Sequence, residues 1–264
     1  MSENLIAVII GIVEGVTEYL PVSSTGHMIL MGSMLGFEGE KASVFEVFIQ
    51  LGAILSVIFL YREKFSNMLR PQKFNAYNGG LSIPHVLAGI VPVMGIGYLL
   101  HKSIKELFSP GVVIIGLIVG AIFMLVAERV AKRPITTNVD QITMQQAFFV
   151  GLFQVLALWP GFSRSGSTIS GGLLLGMSRG AAAEFSFIIA VPLMAVACIY
   201  DLMKVWDKLN IADMQMFAIG FFVAFVVAYI SIIWFIKFLN KSTLASFAYY
   251  RFVLAALSYY YFFL

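Results

Sequence analysis

The chain is short of charge. Only 12% of its 264 residues are Asp, Glu, Lys or Arg, while 60% are hydrophobic. Soluble domains of this size carry about 25% charged residues, so an ordinary water-soluble globule is excluded. Cysteine is almost absent too. Cys198 stands alone inside an apolar run, which rules out an intrachain disulfide and marks it as a packing residue. The net charge of +3 is too small to draw nucleic acid, and its basic residues fall between apolar runs. A cleavable leader is also missing: Met1-Ser2-Glu3-Asn4 has no positive stretch, so the first apolar segment is expected to remain in place.

What is present is length in apolar runs. Mean hydropathy is +0.91. Full spans are expected at 44–61, 83–100, 111–128, 185–204, 216–237 and 247–264. Each reaches roughly the 18 residues needed to cross a bilayer. Two further apolar stretches are interrupted. Residues 5–35 are broken by Glu14, Glu18 and Pro21-Val22-Ser23-Ser24, and residues 142–177 by Pro160-Gly161-Phe162-Ser163-Arg164-Ser165. Non-helical backbone at membrane depth survives only where protein or a wet cavity covers it. Both stretches therefore read as re-entrant helical hairpins.

The two interruptions are related. A shift of 140 residues superimposes Gly11, Ser23, Gly26, Ile29, Gly32, Leu35, Gly36, Ala42 and Phe45 on identical residues 151, 163, 166, 169, 172, 175, 176, 182 and 185. That is nine identities over positions 11–45, against about three expected by chance at average usage. One hairpin plus three spans makes one unit. Three crossings separate the hairpins, so the second unit is inverted. The expected fold is an all-α polytopic membrane protein with an inverted-topology repeat, about six transmembrane helices plus two re-entrant hairpins. It forms one membrane domain, 1–264, with repeats at about 1–130 and 140–264. Such repeats place their site near the midplane, where the broken helices meet.

Lys and Arg set the orientation. One side receives Arg62, Lys64, Arg70, Lys73, Arg129, Lys132, Arg133, Arg179, Lys237 and Lys241. The other receives Lys41, Lys102, Lys105, Lys204 and Lys208. The first side is expected to be cytoplasmic, which puts both termini outside and opens the first hairpin outward.

Chemistry concentrates in the interruptions. Glu14 and Glu18 share a helix face. A carboxylate in lipid costs about 2.5–3.5 kcal/mol on insertion scales, so such groups face a cavity or a partner. A divalent cation, a shared proton or an arginine would relieve their repulsion, and a purely structural pair capped by backbone donors is the plain alternative. Ser23 or Ser24 is a good N-cap for a new helix, with Ser23 the better choice for capping alone. The free N–H groups of that helix make an anion site. His27 lies one turn in. It is either a satisfied polar residue or a catalytic partner of the carboxylates. In the second interruption Arg164 is the only charge between 142 and 178. A guanidinium buried there needs an anion. Surrounded by Ser163, Ser165, Ser167 and Thr168 it suits a phosphate, which arginine binds bidentately. The plainer reading is an ion pair to Glu14 or Glu18 that locks the hairpins.

Other polar residues carry less. Glu46 and Gln50 share a face and are expected to line the same cavity. Arg179 and Glu184 are expected to orient the second hairpin, and Arg251 to snorkel from a span end. His85 and His101 are expected at the surface. Tyr259-Tyr260-Tyr261 reads as an interfacial aromatic belt, and Gly111, Gly116 and Gly120 as a close helix crossing.

Glu14-Gly15-Val16-Thr17-Glu18-Tyr19-Leu20-Pro21-Val22-Ser23-Ser24-Thr25-Gly26-His27 and Pro160-Gly161-Phe162-Ser163-Arg164-Ser165-Gly166-Ser167-Thr168 resemble both signature motifs of the undecaprenyl-pyrophosphate phosphatases of the bacitracin-resistance type. The resemblance covers essentially the whole chain. It implies a bacterial inner-membrane enzyme that converts the C55 isoprenyl diphosphate to the monophosphate carrier used in cell-wall synthesis. It implies Glu14, Glu18, Ser24, His27 and Arg164 as catalytic residues. Ser23, Thr25, Ser163, Arg164, Ser165 and Thr168 would surround the phosphates. It further implies a divalent cation, Mg2+ or Ca2+, at Glu14 and Glu18, and a site facing the periplasm. The expected partners are the lipid substrate and the bilayer, and a homodimer is compatible with both. Ser24, His27 or a metal-bound water remains open as nucleophile. A lipid-carrier flippase or small transporter is the alternative, since inverted repeats and broken helices serve it equally. The acid-phosphatase-like lipid phosphatases are excluded. They place a histidine six residues after an arginine, whereas here Ser170 stands six after Arg164 and no histidine follows it.

Overall fold

The computed structural model describes residues 1–70, 80–205 and 213–264. Lys73 and Lys208, used above for orientation, lie outside the described residues, as do the side chains of His101 and Lys105. The chain is all-α. The first interrupted stretch forms α1 (Glu3–Thr17) and α2 (Ser24–Leu35). Then follow α3 (Glu40–Leu60), α4 (Arg62–Met68), α5 (Ile83–Leu99), α6 (His101–Glu106) and α7 (Pro110–Val130). The second interrupted stretch forms α8 (Met144–Gln154), a 3-10 turn at Val155–Leu158, and α9 (Arg164–Leu174). The chain ends in α10 (Arg179–Val205), α11 (Met214–Leu239) and α12 (Ala245–Phe263). A helix is found at every expected span, and both interruptions are found, with ends moved by up to six residues.

Four helices, α3, α7, α10 and α11, are long and apolar enough on their own to cross a membrane. The other two expected spans fall short of that measure. α5 has 17 residues, and α12 carries five tyrosines and Arg251. The chain is a multi-pass membrane protein.

The helix contacts exchange under the 140-residue shift. α1 packs on α11 as α8 packs on α5, and α3 packs on α11 as α10 packs on α5. α3 meets α10, its own counterpart, and α7 meets α12. Gly11 shows why an identity recurs. A Cβ there would lie 2.9 Å from the Gly220 carbonyl, and one at Gly151 would lie 2.6 Å from the Gly89 carbonyl. Small residues let helices approach this closely in lipid, where packing rather than the hydrophobic effect joins them.

Two sequence expectations change here. His85 is buried, with Nδ1 2.8 Å from the Ser82 hydroxyl, because it faces the bundle from the first turn of α5. Arg251 does not snorkel. It is fully buried and donates to the carbonyls of Gly116 (3.1 Å) and Gly161 (2.8 Å). Arg179 does anchor the segment after the second hairpin, pairing with Glu128, which also accepts from the Leu244 N–H at 2.8 Å.

Candidate active site

Both hairpins turn in the same way. Ser23 (φ 69°) and Ser163 (φ 77°) are the only non-glycine residues with positive φ among the described residues. Such backbone costs on the order of 1–3 kcal/mol and persists where the surroundings impose it. Here the serine hydroxyls repay part of that cost. Ser23 Oγ accepts from the Gly26 N–H (3.4 Å) and Ser163 Oγ from the Gly166 N–H (3.1 Å). Each serine caps the helix that follows and aims its positive end inward.

The tips touch. Ser165 Oγ donates to the Leu20 carbonyl at 2.9 Å. Arg164 Nη2 donates to Glu18 Oε1 at 3.2 Å, while Glu18 Oε2 accepts from the Ser24 hydroxyl at 2.7 Å. One carboxylate therefore joins the hydroxyl of the first tip to the guanidinium of the second. Arg164 is held by two further contacts and keeps one free donor. Nη1 donates to the Ser186 carbonyl (3.2 Å), the guanidinium lies over the Tyr19 ring at 5.6 Å, and Nε has no partner. Thr168 sits beneath, its hydroxyl 2.6 Å from Ser186 Oγ.

Glu14 is the anomaly. It is 1% exposed, and both of its carboxylate oxygens lack a hydrogen-bond partner. An unsatisfied buried carboxylate is costly, so this one requires a proton or a cation. The 140-residue shift puts Gln154 in its place on α8, a neutral residue equally buried. The same shift puts Ser24 on Arg164. The repeat thus supplies two matched scaffolds with opposite charge.

A cavity of about 1160 Å³ opens from the tips. Glu18, Ser23, Ser24, Thr25, Ser163 and Arg164 line it, with Gln50 at one side. The remaining wall is largely apolar, from Val93, Met94, Leu158, Leu193, Met194, Val196 and Ala197. It runs to Lys102, Ser103 and Phe108. Tyr98, Val196 and Tyr200 line it and are also exposed at the protein surface, so it opens sideways between α5 and α10. Pro92 and Pro192 interrupt these two helices one residue before Val93 and Leu193, and a proline inside a helix bends it.

The expected residues divide. Glu14, Ser165 and Thr168 lie buried behind the cavity wall. His27 does not line the cavity. Its Nδ1 is 2.8 Å from the Ser23 carbonyl and its Nε2 is 2.7 Å from the Tyr250 hydroxyl, with the two rings stacked. Glu46 does not line it either, whereas Gln50 does. Among the described residues no group of three or more His, Cys, Asp or Glu side chains comes together as a metal cage.

Ser186 and Tyr250 were not anticipated. Ser186 is the 140-residue counterpart of Glu46, a signal present in the repeat. Tyr250 lies in a tyrosine-rich helix, with nothing in its neighbourhood to single it out.

The family model described as bacitracin resistance protein BacA matches residues 7–257, a range that includes both tips. The chain therefore belongs to the BacA family of bacitracin resistance proteins, the undecaprenyl pyrophosphate phosphatases.

Proposed function

We propose that this chain hydrolyses undecaprenyl diphosphate to the monophosphate and inorganic phosphate, at the cavity between the two tips. The observation that carries this reading is the Ser24–Glu18–Arg164 chain at the inner end of an apolar cavity open to lipid. The long tail lies in the apolar part and the diphosphate meets the tips. The cavity reaches Lys102 and Ser103 on the side poorer in Lys and Arg, which supports an outward-facing, periplasmic site in a bacterial inner membrane.

Glu18 holds the Ser24 proton by a 2.7 Å bond and is the base nearest to that hydroxyl. As Ser24 Oγ attacks the terminal phosphorus, the proton passes to Glu18 and the bond to the bridging oxygen breaks. The lipid monophosphate leaves, and water then releases phosphate from the serine. Arg164 has an unpartnered Nε–H. It stabilises charge on the transferred phosphoryl oxygens, together with the capped N-termini of α2 and α9. The orphaned oxygens of Glu14, one helical turn from Glu18, fit a hard divalent cation. Glu14 and Glu18 would be the residues to hold Mg2+ or Ca2+. Such a cation supplies neutralising charge for the phosphates. With Nε2 occupied by Tyr250, His27 supports the first tip instead of attacking.

The test is phosphate release from C55 diphosphate by the purified protein with Mg2+, Ca2+ or chelator. Release in a cation-supplemented sample is expected, and none under any condition ends the reading.

A further inference from the structure

Tyr250 and Arg251 are adjacent on α12, yet each reaches a different tip. The Tyr250 hydroxyl bonds His27 Nε2 at 2.7 Å. A carbonyl only accepts, so His27 Nδ1 carries the proton given to Ser23, and Nε2 accepts from Tyr250. That chain ends on the residue that caps α2. Arg251 donates to the carbonyl of Gly161, the turn residue two before Ser163, which caps α9. It also donates to the Gly116 carbonyl on α7 and points toward Met124 Sδ at 3.5 Å.

Arg251 is unusual in what it lacks. It is fully buried, its Nε has no partner, and no carboxylate pairs with it among the described residues. Burying a cation in this way is costly. The slot is shaped for it. A Cβ at Gly166 would lie 3.2 Å from Nη1, and one at Gly120 would collide with Nη2. A core hydrophobe would stabilise the bundle more cheaply, so the arginine must serve something besides packing.

We propose that Tyr250 and Arg251 act as a bracket of positioning residues, holding the two tips from behind so that Ser24 and Arg164 converge on Glu18. The bracket is one-sided. The shift of 140 pairs Tyr250 and Arg251 with Pro110 and Gly111 on α7, which cannot make either bond. This proposal rests on the phosphatase reading for its kinetic consequence but not for its structural one.

The test compares Tyr250→Phe and Arg251→Lys with the parent protein in detergent micelles, using C55 diphosphate. Neither residue lines the cavity, so KM stays within about twofold. kcat falls about tenfold in Tyr250→Phe and about 100-fold in Arg251→Lys, the scale of an ångström-sized misplacement. Amide hydrogen exchange supplies a readout that needs no turnover. Peptides covering 18–27 in Tyr250→Phe and 159–168 in Arg251→Lys should exchange faster, with the rest of the bundle unchanged. A kcat within twofold of the parent in both variants, or tip exchange equal to the parent's, overturns the proposal. So does a uniform rise in exchange over all helices. If Arg251→Lys does not fold, Tyr250→Phe decides alone. An inactive parent protein would instead sink the phosphatase reading, leaving the exchange result to judge the bracket.

Discussion

Ser24 and Arg164 occupy equivalent places in the two halves and bind opposite oxygens of a single carboxylate, Glu18. Neither residue is near the other in sequence. A capped helix start brings each to the same point. This makes Glu18 the pivot of the site. Glu18→Gln keeps the size and a hydrogen bond to Ser24 but loses the base and the charge that faces Arg164. It should lower kcat about 10²–10⁴-fold, the usual worth of a positioned base. Ser24→Ala should do at least as much. Acid quenching with labelled substrate traps a phosphoserine in the parent and none in Ser24→Ala. Turnover by Ser24→Ala near the parent rate would point to water as nucleophile.

Glu14 makes a separable prediction. Its two bare oxygens are the strongest structural reason to expect a cation. A ligand present at 100 times its Kd stabilises the folded state by about 2.7 kcal/mol. Magnesium or calcium should therefore raise the melting temperature of the parent protein over that in chelator. In Glu14→Gln the increment should vanish while the melting point in chelator is kept or raised, since a neutral amide removes a buried charge. The matched position of α8 carries such an amide, Gln154, which donates to the Gly89 carbonyl at 3.1 Å. An unchanged increment would move the cation elsewhere.

Much of this arrangement was legible in the chain. The interruptions were visible because Glu14, Pro21 and Arg164 break apolar runs, and the 140-residue identity at Ser23 and Ser163 tied them together. Glu18 and Arg164 stand out because charge in a membrane needs a reason, and Ser24 through the family motif that it belongs to. What stayed hidden depends on distances across helices. Arg251 reads as a snorkelling side chain because it lies near a span end, whereas its burial is set by Gly116 and Gly120 on α7, more than 130 residues away. His27 reads from its neighbours as either a satisfied polar residue or a catalytic partner, and nothing in the sequence shows that its ring lies off the cavity and against Tyr250.

Gly120 tests the packing that supports the second tip. A Cβ there would meet the Arg251 guanidinium, and it would lie 2.5 Å from the Phe162 carbonyl. Neither can retreat, since one is hydrogen-bonded to Gly161 and the other is backbone. Gly120→Ala should cost about 1–3 kcal/mol, the range for overpacking a filled core. The same change at Gly95, where a Cβ meets nothing within 4 Å, should not destabilise, because alanine is the better helix former. Thermal unfolding of the two variants in one detergent checks the difference.

The apolar cavity should govern affinity for the tail and leave the chemistry alone. Ala197 lines it on α10, beside Leu193 and Met194 and away from the tips. Ala197→Phe would fill part of the space that the isoprenyl chain needs. KM for the C55 diphosphate should rise about tenfold, the scale of a single lost methylene contact. A diphosphate with a tail of a few carbons does not reach that wall, so its kcat/KM should stay near the parent value. The comparison is internal, because both substrates meet the same Ser24, Glu18 and Arg164. Equal losses on the two substrates would mean that the phenylalanine disturbs the tips, and that the tail lies somewhere other than between α5 and α10.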